Sequence, residues 1–319
     1  MILTSNELRE LGQLPITYIV YPLIPVGGYT MLVADPAVGK TWDACSLAVC
    51  IETGTPWLGA PTVQARVLYV AGEFGKDKIP QRLHALHQGM GVEPSDELLV
   101  ENHSIPIDTE EGLARYDELI QRYGLNVIII DPLISCLAET DENNNNQVRI
   151  VMDAFSAMLG KHDCTAVIAH HTAKVGRHDV YSSRGAGDWS GGTGSVINLT
   201  KGRGQRDGEF TVSQSKMSSS ENAGSIKVKL DIEKHRVGMQ LFYESARLTT
   251  SPMDASEAHE EKLQEIVTVL EEHSPMKKAD LLEAMGYKRD NQDFDRVFKQ
   301  GVKDKVLDNP KFGVYALKN

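Results

Sequence analysis

The chain has 319 residues, 41% of them hydrophobic and 24% charged, which excludes a disordered or low-complexity chain and supports one large core, alone or with a small second one. A formal net charge of −11 repels polyanions on average, so any nucleic-acid contact must use local basic patches. Cys45, Cys50, Cys136 and Cys164 form no C-x-x-C pair and have no zinc-finger spacing, which excludes a disulfide scaffold and points to a reducing, cytoplasmic setting.

The residues before Gly27 show neither a basic stretch leading into an apolar core nor an 18-residue apolar run. No leader and no membrane partner are expected. Gly27-Gly28 reads as a turn, Tyr29–Val33 as a strand and Thr41–Thr53 as a helix. Further strands are expected at Ala65–Ala71, Leu98–Asn102, Asn126–Ile130 and Thr165–Ala169, with helices at Ile79–Met90, Thr109–Tyr123 and Val148–Lys161 between them. Alternation of this kind predicts an α/β fold with a doubly wound, mostly parallel sheet. Its functional loops should follow Val33, Ala71, Ile130 and Ala169. Residues 172–194 carry Gly, Ser and Asp without a period and read as a loop. Ser195–Leu199, Glu209–Ser213, Ser225–Ile232 and Gln240–Glu244 read as antiparallel strands. We therefore expect one domain over residues 1–245, a linker over 246–256, and a small domain over 257–319. Three short helices (Ala258–Glu272, Lys277–Met285, Asn291–Lys303) and a hairpin-like end (Val306–Leu317) suggest a winged helix-turn-helix in the last segment.

The strongest motif is Ala34-Asp35-Pro36-Ala37-Val38-Gly39-Lys40-Thr41, a Walker A sequence with Ala in place of its first Gly. Its position between a strand and a helix is the context the motif requires. Lys40 would reach the terminal phosphates of ATP. Backbone N–H groups of Pro36–Trp42 (Pro36 itself lacking one), with Ala37, Val38 and Gly39 at the turn, would line the cradle, and the Thr41 hydroxyl would bind Mg²⁺. Asp131 ends an apolar strand where a Walker B carboxylate would orient the same cation. Glu73 follows the strand ending at Ala71, where a carboxylate would take a proton from attacking water. His170 and His171 close the strand Ala166–Ala169.

Taken in order, Gly28–Val33, Walker A, Thr53–Gly59, Val67–Glu73, Ile129–Leu133, Asp141–Asn143 and His170–Lys174 resemble the RecA-like ATPases typified by RepA hexameric plasmid helicases, over roughly residues 15–245. The resemblance implies Glu73 as catalytic base, His170 as γ-phosphate sensor, a ring usually of six subunits and single-stranded DNA in its channel. One departure stands out. Where RepA-type helicases place an Arg that reaches the neighbour's γ-phosphate, counting from Arg184-Gly185, this chain has Gly194. The later Lys-x-Arg of other relatives is here Lys216-Met217-Ser218. Lys201, Arg203 and Lys216 are the candidates for the missing cation.

Between Lys174 and Arg206 six basic residues face two acidic ones. Lys174, Arg177 and Arg184 are candidate single-stranded-DNA contacts in a Gly-rich loop. In the C-terminal segment Arg289, Arg296, Lys299 and Lys303 lie on or beside its third helix, though 11 basic residues there meet 13 acidic ones, so a protein-contact role stands beside DNA binding. The sequence reads as an ATP- and Mg²⁺-dependent replicative DNA helicase of a plasmid, phage or mobile element, with replication or recombination proteins as possible partners. The rival reading is an ATP-switched DNA-binding or assembly factor without unwinding activity.

Overall fold

The computed structural model describes residues 4–5, 15–34, 38–72, 77–171, 192–201, 205–217, 224–237, 240–252, 262–263, 266–271, 273–285, 293–311 and 314–318. Its centre is a nine-stranded sheet of order β11-β10-β9-β8-β3-β7-β6-β4-β5. The members are β3 Gly28–Ala34, β4 Val67–Ala71, β5 Leu98–Glu101, β6 Val127–Asp131, β7 Thr165–His171, β8 Ser195–Thr200, β9 Glu209–Met217, β10 Ile226–Val237 and β11 Gln240–Pro252. From β8 through β5 the pairs are parallel, and from β8 outward to β11 they are antiparallel. A mixed α/β molecule with a large, mostly parallel central sheet fits a P-loop ATPase.

The apolar runs are continuous because both sheet faces are covered. Val67, Tyr69, Ala71, Val127 and Ile129 face one core layer with helix α1 (Lys40–Thr53) and helix α2 (Lys78–Met90). Leu68, Val70, Ile128 and Ile130 face the other, with Tyr116 of α3 (Glu110–Tyr123) and Phe155 of α4 (Asn145–Lys161). Helix α1 is buried along nearly its whole length, polar Lys40, Asp43, Ser46 and Glu52 included, rather than on one stripe. Local signals set the ends of α3: Thr109 accepts the Gly112 N–H, Glu110 and Glu111 occupy the first turn, and Gly124 closes the helix in the left-handed region.

Two expectations need correction. Helix α4 begins at Asn145 rather than Val148, because Asn144 caps it by accepting the Gln147 N–H. The asparagine tract is thus in part a helix start. The expected linker from 246 is strand as far as Pro252, and Ser245–Pro252 pair residue by residue with Ile226–Glu233 in a long ribbon. Its polar residues belong to exposed ribbon faces, and Thr249 and Thr250 are β-branched strand formers. Short strands β1 (Tyr18–Val20) and β2 (Ile24–Pro25) precede the sheet and were not read from the sequence.

In the C-terminal segment, helical residues 266–271, β12 (Met276–Lys277), α5 (Lys278–Ala284), α6 (Asp293–Lys303), β13 (Leu307–Lys311) and β14 (Val314–Leu317) are described. The three strands form a sheet of order β12-β14-β13. A separate core joins Ile266, Leu270, Leu281, Leu282, Phe294, Phe298 and Leu307. Among the described residues no helix is long and apolar enough to cross a membrane.

Candidate functional site

Register brings the expected residues to one end of the sheet. Ala34 at the end of β3 is level with His171 and Leu199, Val33 with His170, and Ala71 with Asp131. The carboxyl ends of β3, β4, β6, β7 and β8 therefore open onto the same place, where open α/β sheets hold ligands. Asp35, Pro36 and Ala37 lie outside the described residues, as does Glu73.

Gly39 precedes α1 at φ 110°, a backbone conformation that L side chains rarely adopt. Gly39 has no side chain to cap the helix, and a helix N-terminus presents N–H groups suited to an anion, with the positive end of the helix dipole behind them. Lys40 is only 4% exposed, and its Nζ lies 3.6 Å from Asp131 Oδ1. Asp131 is 1% exposed, and its Oδ2 accepts the Tyr69 O–H at 2.7 Å. Thr41, the residue after Lys40, is half-buried.

Trp42 is wedged in place. The Arg82 guanidinium from α2 sits 5.2 Å from its ring centroid, and Tyr243 from β11 meets it edge-on at 5.2 Å. One turn into α1, Asp43 is fully buried with both carboxylate oxygens unpartnered among the described residues. Burial pushes its pKa up to about 8. His170 is 6% exposed and stands on the strand next to β3.

A family model described as "AAA domain" matches residues 6–177, more than half of the chain. The chain belongs to this family of P-loop ATPases. Comparison with curated proteins returned no match. For an AAA-domain ATPase the residues present fit the nucleotide and its metal. The helix N-terminus and Lys40 suit a polyphosphate, and the Thr41 hydroxyl and the Asp131 carboxylate are the kind of hard oxygen ligands that would hold Mg²⁺.

The remaining candidates are scattered. Gly194 donates its N–H to Tyr29 O at the amino end of β3, the opposite end of the sheet from Lys40. Lys216 is level with Val196, near that same far end, and burial lowers its pKa. Lys201 follows β8 at the Lys40 end and pairs with Asp207 at 2.9 Å. Arg296, Lys299 and Lys303 share one exposed face of α6, opposite buried Phe294, Val297 and Phe298. Lys174, Arg177, Arg184, Arg203 and Arg289 lie outside the described residues.

Sequence reading missed Tyr69, Arg82, Tyr243 and Asp43. Tyr69 had a usable signal, as the lone polar side chain in an apolar strand two residues before its end. The contacts of Arg82 and Tyr243 with Trp42 join distant segments and left no local trace.

Proposed function

We propose that the protein is a Mg²⁺-dependent ATPase of RecA-like architecture, assembled as a six-membered ring, that moves on single-stranded DNA as the replicative helicase of a plasmid, phage or mobile element. The observation that carries the nucleotide half of this reading is the buried approach of Lys40 to Asp131 at the end of the sheet. With ATP bound, Lys40 would turn from Asp131 to the phosphate oxygens, and Thr41 and Asp131 would hold Mg²⁺, which would supply charge stabilisation there. Glu73, two residues past the strand partner of Asp131, takes the proton of the attacking water. His170 senses the γ-phosphate from the strand that leads into the basic loop of Lys174, Arg177 and Arg184, so the DNA contact is covalently continuous with the sensor.

Lys201, Arg203 or Lys216 would supply the cation that a neighbouring subunit needs. The C-terminal segment acts as a winged helix-turn-helix, whose exposed Arg296, Lys299 and Lys303, with Arg289, meet DNA or a replication or recombination protein. The place of action is the cytoplasm.

A second reading has its own support: an ATP-switched DNA-binding or assembly factor that does not unwind. Gly194 supplies no cation, and a trans-acting arginine is worth about 10³ to 10⁵ in rate. The test is strand displacement on a forked duplex together with sedimentation of the protein with and without ATP. Displacement by an ATP-stabilised ring supports the helicase. ATP-dependent assembly with no displacement supports the switch.

A further inference from the structure

Tyr69 is the lone polar side chain of β4, whose other members are Val67, Leu68, Val70 and Ala71. A buried hydroxyl in such a run is costly unless it is bonded, and its ring is fully buried in the layer that faces α1. Its O–H finds a partner on the next strand. Ala71 is level with Asp131, so the Tyr69 ring, two residues back on the same face, lies beneath the carboxylate and donates to Oδ2 at 2.7 Å. Hydrogen bonds to a carboxylate are roughly twice as strong as neutral ones, and this one is shut away from water.

The consequence falls on the other oxygen. A carboxylate has a soft, two-fold terminal torsion and, left alone, presents either oxygen in a range of directions. With Oδ2 held by a phenol on a rigid strand, Oδ1 has one direction left, toward Lys40 Nζ at 3.6 Å. We propose that Tyr69 is a positioning residue for the metal: it locks the Asp131 carboxylate so that Oδ1 alone faces Lys40 and the cation that accompanies ATP. The proposal rests on the ATP and Mg²⁺ reading of this site. Tyr69 touches neither nucleotide nor metal and acts through Asp131.

The test uses the full-length protein with Mn²⁺ as the spectroscopic probe, its binding followed by electron paramagnetic resonance in the presence of a non-hydrolysable ATP analogue. Binding of a fluorescent ATP analogue in EDTA is measured in parallel. Tyr69→Phe should lower Mn²⁺ affinity about tenfold or more, as loss of a group that orients a metal ligand does, and leave nucleotide affinity in EDTA unchanged. In an Asp131→Asn background the same change should have no effect on Mn²⁺, because the group through which it acts is gone. Should Tyr69→Phe fail to fold, the double variant, which contains no orphaned carboxylate, is compared with Asp131→Asn alone. Unchanged Mn²⁺ affinity in Tyr69→Phe, or a further loss in the Asp131→Asn background, overturns the proposal and leaves the ATP reading intact. A wild-type chain that binds neither analogue overturns both.

Discussion

Lys40 Nζ and Asp131 Oδ1 stand 3.6 Å apart in a setting where the two side chains are only 4% and 1% exposed. Each charge is thus desolvated and held against the other, and the phosphate site is pre-aligned by the residue that competes with phosphate for Lys40. Removing one partner of such a pair commonly costs about 3–5 kcal/mol, because a buried charge is left behind. Asp131→Asn should therefore lower the melting temperature, and ATP without metal should recover part of the loss by giving Lys40 a new partner. Metal-dependent hydrolysis should fall by about 10² or more. Thermal melting with ATP in EDTA checks the first part, and a melting temperature insensitive to ATP contradicts it.

Asp43 makes the opposite demand on pH from an ordinary carboxylate. Its folded-state pKa of about 8 lies above the unfolded value of about 3.9, so the folded chain keeps a proton that the unfolded chain releases. This contribution disfavours folding progressively as pH rises from about 4 to about 8 and is constant above that. Asp43→Asn, similar in shape and uncharged, should match wild type near pH 4 and be more stable at pH 8. Denaturant melts at both values measure the difference, and a pH-independent difference would count against burial as the cause.

His87, paired with Glu52, carries the same pH sign as Asp43, through a histidine rather than a carboxyl group. Both are buried, with His87 Nε2 2.7 Å from Glu52 Oε2 and Nδ1 2.7 Å from Leu83 O. Burial alone would push the His87 pKa down, but the Glu52 carboxylate and the Leu83 carbonyl both favour the charged ring and hold it above the usual value. The pair's stabilisation is full below about pH 6.5, the unfolded histidine value, and fades as pH rises through the higher folded one. Glu52→Gln should cost a few kcal/mol, on the order expected for a broken buried pair, at pH 6, and clearly less at pH 9. Equal losses at both values would show that charge plays no part.

Gly89 marks where α2 crosses the ribbon. A Cβ there would run into the Ala246 carbonyl, which is backbone and cannot step aside cheaply. Gly89→Ala should destabilise the protein despite alanine's better helix propensity. The shift in denaturation midpoint decides it, and a stabilised variant would mean that the helix and ribbon part without cost.

How much of this was legible in the sequence depends on distance along the chain. Walker A, the strand ending in Asp131 and the sheet with its crossovers follow from local patterns: apolar runs of strand length, a glycine turn, helical spacing. Two kinds of feature were not legible. The ribbon beyond Glu244 is polar on its exposed faces and resembles a linker until Ile226 is seen opposite Pro252. The Tyr69 contact with Asp131 spans 62 residues and appears only once register places Ala71 beside Asp131. Gly194 shows a different limit. Its type is evident from the sequence, but its place at the far end of the sheet follows from the parallel pairing of β8 with β3.

Whether the Lys40 site hydrolyses ATP in the service of single-stranded DNA is decided by steady-state ATP hydrolysis with and without single-stranded DNA, with Lys40→Ala as the blank. Hydrolysis that DNA stimulates strongly and that the substitution abolishes is expected. Nucleotide binding with negligible turnover that is indifferent to DNA would contradict the motor and leave the ATP-gated switch in its place.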